Sequence, residues 1–81
     1  MYEELGQTEK RVVGFKQVLR AIEKDMVQTV YVARDADDFL YRRIVAAAEE
    51  KRIALKKVDT MKELGQFCRL DVKAAAAGLL K

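Results

Sequence analysis

The chain has no histidine, no proline and no tryptophan, and one cysteine and four glycines among its 81 residues. Without histidine, imidazole acid–base chemistry and histidine-containing metal sites are excluded. A lone Cys68 cannot close an internal disulfide. With no histidine to activate it, and with Phe67, Leu70 and Val72 nearby, its thiol reads as a buried structural group. The missing prolines, and the absence of any Gly/Ser-rich linker or internal repeat, leave one continuous unit, expected to be a single domain over residues 1–81. No apolar run approaches the roughly 18 residues that cross a bilayer. Met1-Tyr2-Glu3-Glu4 lacks the basic-then-apolar order of a signal peptide, so the cytoplasm is the expected address. Neither G-x-G-x-x-G nor G-x-x-x-x-G-K-[ST] occurs, and no nucleotide cradle or other cofactor is expected. Catalysis is therefore not expected.

What is present is an apolar fraction of 51%, enough for one modest core, and a net charge of +3. The charge is unevenly placed. Lys10, Arg11, Lys16, Arg20, Lys24 and Arg34 outweigh Glu23 and Asp25, and a second basic run holds Arg42, Arg43, Lys51, Arg52, Lys56 and Lys57. Patches of this kind suit a polyanionic partner whose affinity falls as salt rises; a merely solvated basic surface is the plain alternative.

Strands and helices alternate along the chain. Residues 2–9 read as a short opening helix. Arg11-Val12-Val13 is a β-branched run stopped by Gly14, and residues 15–25 follow as an amphipathic helix. VQTVYVA, residues 27–33, has the composition of a buried strand. Asp35 and Asp37 are candidate caps for a helix running to Lys51. Residues 53–58 form a third strand candidate. Thr60-Met61-Lys62-Glu63 has the capping-box form that opens a helix to about Phe67. The tail, VKAAAAGLL, is helical by alanine propensity, yet equally fits a central strand whose small side chains let helices pack on both faces. This alternation predicts a layered α/β fold with ligand sites at the loops off one sheet end.

Three features could carry chemistry. In the first, Phe15, Val18, Leu19 and Ile22 share one helix face while Lys16, Gln17, Arg20 and Lys24 share the other. Gly14 before them permits close backbone approach, and the helix start adds open N–H groups and partial positive charge. Basic groups at 16, 20 and 24 repel by a few tenths of a kcal/mol at i,i+4 spacing, so local helix stability does not ask for them. The second feature is Cys68-Arg69-Leu70-Asp71-Val72-Lys73, which alternates basic and apolar groups in a surface loop. Leu70 and Val72 there either turn into the core or cover an apolar surface such as an unstacked base. The third is Asp35, Asp37 and Asp38, which could meet Mg²⁺ but lack the glycine and closing glutamate of an EF-hand loop; helix capping explains them more simply.

Gly14-Phe15-Lys16-Gln17 with Arg20, VYVARDAD (30–37), the helix to Lys51, Ile53, TMKELGQFC (60–68) and the alanine-rich close occur in one order. As a set, over about residues 9–80, they resemble the kink-turn-binding family of ribosomal proteins, most of all its small bacterial branch of Bacillus-like organisms. The resemblance implies a three-layer α/β/α sandwich around a four-stranded mixed sheet, with the alanine tail as a strand. It also implies binding to kink-turns, sharply bent RNA helices with a three-nucleotide bulge beside tandem sheared G·A pairs. In the family, the segment matching Gly14, Phe15, Lys16, Gln17 and Arg20 enters the groove at the G·A pairs. The loop matching Arg69, Leu70, Asp71, Val72 and Lys73 covers the bulged bases, with Arg34 and Asp35 close enough to assist and Lys24 placed for a phosphate.

Lys16-Gln17 is the pairing of the bacterial branch, where archaeal members carry Asn-Glu. Phe15 replaces a small or β-branched residue, and Arg69 and Lys73 replace residues that are often glycine in bacterial relatives. The expected partner is thus kink-turn RNA, in ribosomal RNA or a riboswitch, met by a monomer without a membrane anchor. The alternative is a protein-interaction scaffold of the same fold with a generic basic surface. A small-molecule enzyme on this sandwich is the remotest reading.

Overall fold

A computed structural model describes residues 10–81; the helix expected over residues 2–9 lies outside the described residues. The elements are β1 (Arg11–Val13), α1 (Phe15–Glu23), β2 (Val27–Ala33), α2 (Asp38–Glu50), β3 (Ala54–Val58), α3 (Met61–Phe67) and β4 (Ala76–Leu80). The four strands form one mixed sheet in the order β1-β4-β2-β3. β4 runs antiparallel to both β1 and β2, and β2 pairs parallel with β3.

The alanine-rich tail is therefore the second strand of the sheet, and its small residues have a packing reason. Strand alternation sends neighbouring side chains to opposite faces. Ala76, Val30 and Val32 join Val18, Ile22, Ile44 and Ala48 beneath α1 and α2. Ala77, Tyr31 and Ala33 join Leu64 and Cys68 beneath α3. Methyl-sized side chains on β4 let both helical layers close on the sheet, and this outweighs the intrinsic helix preference of alanine. Three layers result.

The helix ends follow the local chemistry. Asp37 accepts from the N–H of Phe39 at 2.9 Å and of Leu40 at 3.4 Å, and so caps α2. Thr60 accepts from Glu63 N–H at 3.0 Å and caps α3. Asp35, expected as a cap of α2, instead accepts from Met61 N–H at 2.7 Å. It ties the β2–α2 loop to the start of α3, 26 residues later in the chain. On β3, an edge strand, Lys56 lies over the Tyr31 ring and Lys57 over Tyr41; lysines on an edge strand discourage further strand pairing.

Candidate nucleic-acid interface

Strand directions decide where the loops meet. β1, β2 and β3 end, and β4 begins, at the same end of the sheet. Four loops therefore gather there, and backbone hydrogen bonds hold them together. Gly14 N–H donates to Ala76 C=O at 2.9 Å, Ala33 N–H to Ala75 C=O at 2.9 Å, and Arg34 N–H to Val58 C=O at 2.8 Å. Segments far apart in sequence, around Gly14, Arg34 and Lys73, become neighbours through these bonds.

Gly14 stands at φ 105°, ψ 149°, a conformation open to glycine and strained for any L-residue. It offers α1 no side-chain cap, so no side chain at that position offsets the partial positive charge of the helix start. The Gln17 side chain folds back over this glycine: a Cβ on Gly14 would come within 2.6 Å of Gln17 Oε1. Lys16, Gln17 and Arg20 are exposed on the outer side of α1, while Val18, Ala21 and Ile22 are buried beneath it. Phe15 is half-buried and packs with the core under α1, so its bulk is spent inward. Lys24 lies at the far end of α1, about 12 Å along the axis from Lys16 at 1.5 Å per residue. Between them, Gln17, Arg20 and Lys24 rim a groove of about 220 Å³ floored by Val12, Ala21 and Leu80.

The α3–β4 loop is the second segment brought to this end of the sheet. Arg69 adopts a left-handed conformation with φ 60°. Its N–H donates to Gln66 C=O at 3.0 Å, and Leu70 N–H donates to Gly65 C=O at 2.9 Å. These two bonds make a Schellman termination, with Arg69 at the position that favours glycine and Leu70 at the position that folds back onto the helix. Leu70 and Val72 accordingly part company. Leu70 is half-buried against the core under α3, whereas Val72 is 68% exposed. Gly65, a residue the sequence reading passed over, seats this loop: a Cβ there would collide with the Val72 carbonyl oxygen. An isolated glycine inside a helical run was the available signal, since it marks a close approach of other backbone.

The charges at this end of the sheet are mostly unspent. Among the described residues, Lys16, Arg20, Arg69 and Lys73 form no ion pair, and neither does Lys24 at the far end of α1. Arg34 makes only a loose exposed contact of 3.7 Å with Asp59. Asp71 is exposed at the loop tip, and Asp35 is engaged by Met61 N–H. Cys68 is fully buried behind the loop, and burial pushes its thiol pKa up, against a smaller opposing pull from Arg11. It has no part in the exposed surface. The described residues hold no cluster of three or more His, Cys, Asp or Glu side chains arranged for a metal ion, and no helix among them is long and apolar enough to cross a membrane.

A mixed sheet between helical layers, with cationic loops laced together at one sheet end, defines a small α/β/α protein with a positively charged edge. Residues 2–81 match the Ribosomal protein L7Ae/L30e/S12e/Gadd45 family, and the chain belongs to it. Similar proteins include RNA-binding protein TTE2299 of Caldanaerobacter subterraneus subsp. tengcongensis, 50% identical over 68 residues, which span 84% of this chain and 83% of that protein. RNA-binding protein YbxF of Geobacillus stearothermophilus is 41% identical over 80 residues, 99% of this chain and 98% of that one. Among solved structures, the Giardia lamblia 15.5kD RNA binding protein superposes with a TM-score of 0.86 at 20% identity, covering 99% of this chain and 68% of that one. At that identity the likeness speaks for the fold alone.

Proposed function

We propose that the chain is a cytoplasmic, monomeric RNA-binding protein that recognises kink-turn RNA and stabilises its bent form, in ribosomal RNA or a riboswitch. The observation that carries this reading is that the Gly14–Ala76 hydrogen bond sets the glycine-led start of α1 beside the first residue of β4, the strand into which the Arg69–Lys73 loop leads. The names of the family's bacterial relatives support an RNA partner.

Each side chain has work suited to it. Lys16 donates to guanine O6 and N7 at the G·A pairs. Gln17 donates and accepts along a purine edge, and its position over Gly14 keeps it beside the open N–H groups of α1. Arg20 and, further along the helix, Lys24 neutralise phosphates. Phe15 serves from inside, by fixing α1 on the sheet. Val72 lies on a bulged base, with Leu70 beneath it holding the loop to the core. Arg69 and Lys73 add attraction that is blind to sequence and sensitive to salt. Asp71 accepts from a ribose hydroxyl or an exocyclic amine. Asp35 acts by position, holding the β2–α2 loop so that Arg34 faces the RNA. Because the bent RNA is bound better than the extended one, binding shifts the RNA population toward the kink.

The test is a titration against kink-turn RNA and against the same duplex with its tandem G·A pairs replaced by Watson–Crick pairs, at one stated salt and Mg²⁺. Preference for the kink-turn, lost in the Lys16→Ala/Gln17→Ala variant, is expected. Equal, salt-labile binding to both RNAs contradicts the proposal. One observation favours the scaffold reading: Phe39, 66% exposed at the start of α2, gives that helix an apolar contact point. A scaffold predicts that Lys16 and Gln17 are dispensable and that changes on the exposed face of residues 39–52 abolish function.

A further inference from the structure

A groove of about 310 Å³ lies on the outer side of the α3–β4 loop, lined by Lys62, Gln66, Leu70, Asp71, Val72 and Lys73. Lys62 and Gln66 are one turn apart on the exposed side of α3, and Lys73 faces them from the loop. Gly65 builds the groove, because only a helix without a Cβ at that position admits the Val72 backbone so close. Leu70 N–H on Gly65 C=O at 2.9 Å and Ala74 N–H on Met61 C=O at 3.0 Å anchor the loop at both ends. The walls are thus preorganised.

Resting on the kink-turn reading, we infer that this groove binds the ribose-phosphate backbone of the bulge-bearing strand as it leaves the loop, with Lys62 and Gln66 as contact residues. Charge argues for this occupant: two lysines face a single carboxylate, Asp71, and among the described residues neither Lys62 nor Lys73 forms an ion pair. Continuity argues for it too, since exposed Val72, the residue set to lie on a bulged base, belongs to the groove's own lining. A strand whose base rests on Val72 has its phosphate within reach of the groove. Asp71 makes a poor pocket for free phosphate ion, and its acceptor oxygens suit the ribose hydroxyls of RNA.

The experiment measures binding of kink-turn RNA and its Watson–Crick control across a salt series for the wild-type chain, Lys62→Ala, Gln66→Ala and Lys62→Arg. All the substituted side chains are exposed on α3, and circular dichroism confirms that the variants are folded. For Lys62→Ala the expected result is a loss of roughly three- to tenfold in kink-turn affinity and a salt slope reduced by about 0.7–0.9, the contribution of one phosphate contact. Gln66→Ala loses affinity with no change of slope, Lys62→Arg restores both quantities, and the control duplex is unaffected throughout. Unchanged kink-turn binding by Lys62→Ala, or equal loss on both RNAs, overturns the inference while a wild-type preference for the kink-turn leaves the broader proposal standing. Absence of that preference in the wild type overturns both.

Discussion

Gly65→Ala sets helix propensity against loop packing, and the structure says which wins. In an isolated helix, alanine for glycine is worth about 0.5–1 kcal/mol. Here the new Cβ meets the carbonyl oxygen of Val72, a backbone atom that no side-chain rotation can move aside. Overpacking of this kind costs about 1–3 kcal/mol. Displacing the loop also stretches the Leu70–Gly65 and Ala74–Met61 hydrogen bonds, each worth about 0.5–1.5 kcal/mol. With those bonds lengthened rather than broken, the net expectation is a loss of about 1–2 kcal/mol. For a chain of this size that lowers Tm by roughly 5–15 °C. Urea denaturation followed by circular dichroism, with unchanged m-value, measures it. Affinity for kink-turn RNA should fall as well, because Val72 moves with the loop. A Gly65→Ala variant stabilised by about 0.5–1 kcal/mol would show that propensity rules there and that the loop is not seated on α3.

Gly14→Ala forces an L-residue to φ 105° and is expected to cost about 1–3 kcal/mol in thermal or urea unfolding, with RNA binding weakened as Gln17 is pushed off its seat. Arg69→Gly relieves the left-handed turn, so it should stabilise the chain by about 0.5–1 kcal/mol while reducing the salt slope of RNA binding. Cys68 should resist thiol reagents in the native state and react on unfolding. Its folded-state pKa is raised, so the stabilisation from the protonated thiol is full below the ordinary thiol pKa and is lost as pH rises through the folded value. A pH series of unfolding curves, compared with Cys68→Ala, reads that loss.

Much of this fold was legible because its signals are local. β-Branched runs mark Arg11–Val13 and Val27–Ala33, and the capping chemistry of Asp37 and Thr60 marks the helix starts. The tail was not legible from propensity. Ala76 and Ala77 serve a strand because two helical layers close over them, a demand of packing that a local reading does not contain. Only the resemblance to a family resolved it. Asp35 shows the same limit, since its hydrogen-bond partner, Met61 N–H, lies 26 residues away. In the candidate interface, the residues of α1 were readable from helical spacing and the unexplained i,i+4 cations. The division of labour between Leu70 and Val72 was not. It is set by the left-handed turn at Arg69, which points Leu70 back onto the core and leaves Val72 outside. Gly65 was printed plainly in the sequence, but the backbone that needs it approaches only in three dimensions.

The central claim is that Lys16, Gln17 and the Arg69–Lys73 loop hold RNA in its bent form. Its most direct test is fluorescence transfer between the two ends of a kink-turn RNA without Mg²⁺, as protein is added. The account predicts a saturable rise in transfer with the wild-type chain, and none with Lys16→Ala/Gln17→Ala or with the RNA whose G·A pairs are replaced. Binding that saturates with no rise in transfer, or a rise that survives in the double variant, would contradict it.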